Sequence, residues 1–572
     1  MSKKQRKKGW AAADPAFERE QQRYASPVPS RQFILETLTE HGRPMSRNSL
    51  LRHFGLAEDD EAQTGLSHRI GAMIRDGQLV ENRRGALGLP KRMDLVPGRV
   101  IGHRDGFGFL QPDAGGDDIF LSPREMRRLL HGDRALVRIT GEDRRGRKEG
   151  SVVEVLERGN DTVVGRLMIE RGVCFVVPDN SRIAQDIMIS PDDLNGACHG
   201  QIVTVELIEQ PSRGGKPIGR VKELLGDHMA PGMEIDIAVR SHGIPYEWPE
   251  AVDEQIAGLS AEVAESDKAG REDLRDLPLV TIDGADARDF DDAVYAKPTR
   301  GGWKLYVAIA DVSAYVQPGT PLDQEAYKRG NSVYFPERVI PMLPEILSNG
   351  LCSLNPHVDR LCMVCEMQVG KNGEVKRGRF YEAVMRSQAR LTYDEVAELL
   401  ANEAAATRGE RAKLMPHLTA LHALYEALRD ARDSRGAIDF ESSETRIIFG
   451  RDRKIERVVP VVRNVAHKMI EECMIAANVQ AARALESAKQ PTLYRVHEQP
   501  PGDRLEDLRA FLAEWGLGVG GGQKPEAQHF SRLLEEVAGR PDARLIQTVL
   551  LRSMAQAVYQ PENQGHFGLA LE

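Results

Sequence analysis

Residues 98–123 read GRVIGHRDGFGFLQPDAGGDDIFLSP, and residues 165–191 read GRLMIERGVCFVVPDNSRIAQDIMISP. The second stretch repeats the first. Gly98-Arg99-Val100 returns as Gly165-Arg166-Leu167, Pro112-Asp113 as Pro178-Asp179, and the run Asp118–Pro123 as Asp186–Pro191. His131-Gly132 returns as His199-Gly200, and every offset is 66 to 68 residues, the mark of a duplicated domain. Each copy is a series of short alternating strands broken by Gly and Asp, which predicts a small antiparallel barrel. In the first copy Phe107 and Phe109 share one strand face beside Gly108, and Phe120 stands on the neighbouring strand. These rings are either barrel core or a base-stacking platform, and the glycines that leave room beside them favour stacking, worth about 1–3 kcal/mol per base. The second copy has Gly172-Val173-Cys174-Phe175 and Ile187-Met188-Ile189 instead, the same architecture with weaker stacking chemistry.

Working outward, the chain has 572 residues, 41% of them hydrophobic, enough for several domains with real cores. No apolar window long enough to cross a membrane exists, no apolar stretch follows the basic start, and six cysteines form no framework. A reducing cytoplasm is the expected compartment. The formal charge is −9, but its signs are segregated: Lys3, Lys4, Arg6, Lys7 and Lys8 open the chain, and five aspartates fall within 283–292. Residues 1–25 are expected to be a disordered basic arm. Three helical patterns, through Phe33–Leu38, Leu50–Phe54 and Leu66–Ile74, precede an alternating stretch around Gly85. That order resembles a winged helix-turn-helix over 26–90, with a plain helical cap as the alternative. The barrels follow as 91–158 and 159–225, and 226–572 reads as a large mixed α/β domain entered through an acid-rich, helical connector at 249–276.

The chemistry concentrates in Thr281–Ala293, TIDGADARDFDDA. Two carboxylates about 4 Å apart repel by about 4 kcal/mol at an effective dielectric near 20, so such a cluster calls for protons or cations. An all-oxygen set selects a hard ion, Mg²⁺ or alternatively Mn²⁺. A calcium loop of the EF-hand type fails, because its sixth position is Arg288 and its twelfth Val294. Beside two nucleic-acid barrels, a carboxylate–metal centre suggests phosphodiester cleavage.

The stretches DGADARDFDDAV, WKLYVAIADVSAYV and NSVYFPERVIPMLPEILSNGLCSLNP, from 283 to 356, resemble the catalytic RNB domain of the RNase II family of 3′→5′ exoribonucleases. The GFGF and DIF strands of the first barrel resemble a cold-shock domain of the OB-fold class. The fold expected is therefore multidomain: a winged helix-turn-helix, two OB-type barrels and an RNB domain. The resemblance implies a processive, Mg²⁺-dependent enzyme that releases 5′-nucleoside monophosphates and serves RNA degradation and quality control. It places four acidic family positions on Asp283, Asp289, Asp291 and Asp292. Asp283, Asp289 and Asp292 are the implied metal ligands, with Asp291, the essential carboxylate, and Asp289 as catalytic residues. Tyr334 and Phe440 match the base clamp, and Tyr393 and Glu472 match contacts to ribose and backbone. From composition alone Tyr393 reads as core and Glu472 as a solvated helix face. The implied partners are single-stranded 3′ ends and structured RNA, with the ribosome or trans-translation factors as protein partners of a monomer.

In that family an arginine-rich segment, an RNA-binding barrel and a basic tail follow the GLAL stretch. Here the last residues are Gly568-Leu569-Ala570-Leu571-Glu572, so a sequence cut short at its C-terminus, binding RNA but cutting poorly, is the expectation. Other features read as structural: the Cys362/Cys365 pair as buried thiols, His131 and His199 as architecture of the repeat, and His467 as an i,i+4 partner of Glu471. Two other classes of function remain, an RNA chaperone of the cold-shock type without nuclease activity and a DNA-binding regulator.

Overall fold

The structure, a computed structural model, describes residues 9–23, 27–42, 44–81, 85–89, 95–142, 146–227, 232–336, 338–402, 410–440, 444–451 and 454–572. It divides into two compact units, Met1–Ile244 and Pro245–Glu572.

In the first unit, helices Arg31–His41, Arg47–His53 and Asp60–Arg75 start at Ser30, Ser46 and Asp59, whose side chains accept the first free backbone N–H groups. Ile34, Leu50, Leu66, Ile70 and Met73 close their shared core. Strands Val80–Glu81 and Ala86–Gly88 pair antiparallel, and Met45–Ser46 adds a third strand. The helices and this small sheet are as expected; residues 82–84 lie outside the described residues. The disordered arm expected over 1–25 needs correction for residues 9–23, which form helices Gly9–Ala13 and Phe17–Arg23. Trp10 is buried edge-on to Phe17 at 5.5 Å, and buried Asp14 accepts from the Ser30 hydroxyl at 2.7 Å. A few anchoring side chains outweigh a polar average. The five cationic residues at 3–8 lie outside the described residues.

The duplication becomes two closed five-stranded barrels with one topology. The first is built from Leu95–Gly102, Gly108–Pro112, Ile119–Leu121, Arg134–Glu142 and Lys148–Glu157. The second is built from Thr162–Glu170, Val173–Pro178, Ile187–Ile189, Gln201–Glu209 and Ile218–Asp227. In each, the third and fifth strands pair parallel and the other pairs are antiparallel. Closure needs the same glycine twice. A Cβ on Gly98 would lie 2.2 Å from the Gln111 carbonyl oxygen, and one on Gly165 2.3 Å from that of Val177. Helix Met233–Ser241 packs Met233 against Val164 and Ile202 of the second barrel. The boundary expected at 226 therefore moves to 244, because this helix buries its apolar face on the barrel.

The second unit is built on a seven-stranded sheet in the order Glu272–Asp273, Val375–Arg386, Asp359–Gly370, Gly302–Ala310, Asp292–Thr299, Val280–Asp283, Ala389–Thr392. Alternate residues serve two cores. Val280, Ile282, Leu305 and Val307 pack under helices Tyr393–Ala401, Glu410–Arg435 and Val465–Ser487, while Leu279, Ala293, Tyr306 and Ala308 face the other layer. The same alternation sends Cys362 and Cys365, three residues apart on one strand, to opposite faces as buried thiols, so they cannot share a metal. The connector is helical only at Glu250–Ile256. It continues through a short 3₁₀ turn at Glu265–Lys268 to the edge strand Glu272–Asp273, a correction to the helical expectation for 249–276.

Candidate active site and nucleic-acid surface

Asp283 ends strand Val280–Asp283 and Asp292 begins its antiparallel neighbour Asp292–Thr299. The connecting loop, 284–291, carries Asp289 and Asp291 to the same end of the sheet. Ser353, fully buried, pins this loop: its hydroxyl accepts the Phe290 N–H at 3.0 Å and donates to the Arg288 carbonyl at 2.8 Å. The Leu354 N–H adds a bond to the Phe290 carbonyl at 2.8 Å. Arg390 donates to the carbonyls of Ala285 and Ala287 at 2.7 and 3.2 Å and lies 5.0 Å from the Phe290 ring centre. Neither Ser353 nor Arg390 was picked out from the sequence, since each acts on backbone atoms that no motif spacing reports.

The acids raise one another. Asp292 is pushed up to about 6, first by burial and then by Asp283 and Asp291. Burial, then Asp289 and Asp283, raises Asp291; burial is also the main cause for Asp283, with Asp289 adding to it. One carboxylate oxygen of Asp292, Oδ2, is buried with no hydrogen-bond partner. Asp286 is exposed, and it stands outside this set. Among the described residues no three acidic, histidine or cysteine side chains form a preformed ligand set. Asp283, Asp289 and Asp292, the implied ligands, are close enough for Asp289 to act on Asp283 and Asp283 on Asp292, a density of negative charge that a divalent cation fits.

Aromatic residues border the acids. Tyr334, on the hairpin Val333–Phe335/Arg338–Ile340, is 65% exposed and donates its hydroxyl to Asp289 at 2.7 Å. That bond is the main reason its hydroxyl is pushed up to about 12. Tyr393, the first residue of helix Tyr393–Ala401, bonds to Asp283 and stacks on His467 at 3.9 Å. It is thus half-buried at the cluster rather than simply core. His467 holds Nδ1 2.9 Å from Asn464 Oδ1 at its own helix start, which replaces the i,i+4 pairing expected with Glu471. Glu472 is buried, not on a solvated face, because Arg432 donates to it at 2.5 Å. Arg432 also reaches Glu471, which Arg463 pairs in turn. Phe440 packs against the helical cluster of Leu505, Leu508 and Phe530, and no ring contact joins it to Tyr334 among the described residues. The structure thus gathers Asp283, Asp289, Asp291, Asp292, Tyr334 and Tyr393, while Phe440 has its contacts in the helical cluster.

On the first barrel, Phe107, Phe109 and Phe120 lie outside the core formed by Val100, Leu110, Ile119, Leu121 and Val137. Phe109 and Phe120 are cross-strand partners, and the three ring centres are 5.7 to 5.9 Å apart. His103, not anticipated, stacks on Phe107 at 4.2 Å. In the second barrel the cross-strand pair is Phe175 and Met188. His131 and His199 are architectural in the same way: Nδ1 accepts from Gly102 at 3.4 Å in one copy and from Ile169 at 3.0 Å in the other.

Comparison with known proteins agrees with this layout. The RNB domain family matches residues 271–572, the ribonuclease B OB domain 98–155 and the cold shock domain 175–249. Ribonuclease R of Escherichia coli is 56% identical over 560 residues, which are 98% of this chain and 69% of that protein. Ribonuclease R of Mycoplasma genitalium in complex with ribose-methylated single-stranded RNA is 28% identical, with a TM-score of 0.77 over 83% of this chain and 75% of that one. Its structure with double-stranded RNA is 30% identical, with a TM-score of 0.68 over 74% of each chain. The fold also occurs in yeast Ssd1, described as a pseudonuclease, at 15% identity and a TM-score of 0.59 over 84% of this chain and 66% of that one. Among the described residues no helix is long and apolar enough to cross a membrane. The RNB match over 271–572 and the 56% identity to ribonuclease R decide the class: this chain belongs to the RNB family, with the ribonucleases R, which are 3′→5′ exoribonucleases.

Proposed function

We propose that RNA enters with its 3′ end at the Asp283–Asp292 loop and is hydrolysed there, processively, to 5′-nucleoside monophosphates. The observation that carries this reading is the unpartnered, buried oxygen of Asp292 among carboxyls that raise one another. Asp283, Asp289 and Asp292 would hold a divalent cation, Mg²⁺ or Mn²⁺, which when bound activates water and offsets charge on the reacting phosphate. Asp291 is the carboxylate left for the hydrolytic step. Tyr334 stacks on a terminal base while its hydroxyl orients Asp289, and Phe440 grips a more distant base. Tyr393, fixed by Asp283 and His467, and Glu472, fixed by Arg432, contact ribose and backbone, where the 2′-hydroxyl separates RNA from DNA. Single-stranded 3′ ends are the substrate that the stacking surface of the first barrel suits, and paired RNA is bound as well, a reading supported by the Mycoplasma protein's complex with double-stranded RNA. The N-terminal helices and hairpin act as a winged helix-turn-helix on the RNA, in a reducing cytoplasm.

The test uses 5′-labelled single-stranded RNA with Mg²⁺, with and without EDTA. Asp291→Asn is expected to slow shortening of the RNA by about a hundredfold or more with binding retained. Shortening by Asp291→Asn at the parent rate, or undiminished by EDTA, would overturn the assignment.

A further inference from the structure

The offset between the barrel repeats grows from 66 to 68 between Pro112/Pro178 and Asp118/Asp186, so the second copy has two extra residues in the loop 179–186. That longer loop is the part of the second barrel that reaches the first. A Cβ on Gly102 would lie 2.1 Å from the Arg182 carbonyl oxygen, so the two backbones touch there. Gln185 donates to the carbonyls of Met126 and Leu129, at 2.9 Å each. Farther along, Arg158 pairs with fully buried Asp133 at 2.9 Å and also reaches the Pro211 carbonyl. The barrels are therefore held in one fixed arrangement. Between them remains a cavity of about 170 Å³, lined by His103, Phe107, Arg127, His131, Arg182 and Ala184, among others.

Its walls have the chemistry of a base pocket. Phe107 belongs both to this cavity and to the aromatic cluster, so the two are continuous. At about 30 Å³ per water molecule, the volume suits one heterocycle rather than a whole nucleotide. His131 accepts the Gly102 N–H at Nδ1, and its ring also has a hydrogen bond to the Val100 backbone. Burial, Arg182 and Arg99 all favour its neutral form. The stacked rings of His103 and Phe107 form an aromatic wall that suits the flat face of a base. Arg127 and Arg182, both exposed, supply positive charge for the flanking phosphates.

We propose that this cavity binds one nucleobase of an RNA strand whose neighbouring bases stack on Phe109 and Phe120. The inference rests on the reading of the first barrel as an RNA surface and adds a pocket to it. Dissociation constants for a fluorescein-labelled oligouridylate 20-mer are measured with the full Asp291→Asn chain in EDTA, so that the strand stays intact. Ala184→Trp, which fills the cavity, and Arg127→Glu/Arg182→Glu, which reverses the exposed charge at the cavity and removes one influence on His131, are each expected to weaken binding about tenfold. Phe109→Ala, outside the cavity, is the control for the stacking face. Parent affinity in both cavity variants with weakened binding in Phe109→Ala would overturn the pocket and leave the stacking face standing. Parent affinity in all three would overturn both. Free uridine monophosphate binding at micromolar concentration, and losing this with Ala184→Trp, would make the ligand a free nucleotide and also overturn the proposal.

Discussion

The two barrels arise from one repeated sequence and share every closure device, yet they present different surfaces. Gly98 and Gly165 make the same close strand contact, and His131 and His199 accept matching backbone N–H groups. On the outer face, Phe107, Phe109 and Phe120 of the first copy become Val173, Phe175 and Met188 in the second. Barrel closure is set by steric limits that allow few residue types, so both copies keep them. An outer face has no such limit, and its residues differ according to what each copy touches. One copy has the stacking rings, and the other has the longer loop that grips its neighbour.

This contrast can be broken by exchange. Phe107→Val/Phe120→Met gives the first barrel the face of the second and is expected to weaken single-stranded RNA binding about a hundredfold, measured by fluorescence anisotropy. The reverse graft, Val173→Phe/Met188→Phe, is expected to strengthen binding about threefold if the strand reaches that far. No change in either variant would mean that the two faces are equivalent and that the rings are not the reason for the difference.

The smallest effect concerns the second unit, where like charges rather than rings are gathered. Asp292 is raised from 3.8 to about 6 in the folded chain. The folded state thus keeps a proton that the unfolded chain gives up near pH 4. The resulting stability is complete below about pH 4 and is lost as pH rises through about 6. Without divalent metal, melting temperature should fall by a few degrees between pH 4 and 7, and Asp292→Asn should flatten that slope. Added Mg²⁺ should restore stability at pH 7 in the parent but not in the variant. An unchanged slope in the variant would show that Asp292 is not the strained group.

The strand repeats and the acidic loop were legible because each leaves a local trace: a constant offset or a charge density. The packed helices at 9–23 were not, since one buried tryptophan hardly alters a polar average. Glu472 was misread from composition for a related reason: its partner Arg432 is 40 residues away on another helix. No spacing rule brings such a pair together.

By itself, the sequence determined the duplicated barrels, the alternation of strand faces and the crowding of carboxylates, because these depend on neighbours along the chain. Only the tertiary structure decided that Tyr334 bonds to Asp289, that Ser353 pins the acidic loop, and that the 179–186 loop forms a pocket with the first barrel. Those contacts join residues far apart in the chain, and their strength comes from burial and geometry that exist only once the chain has folded.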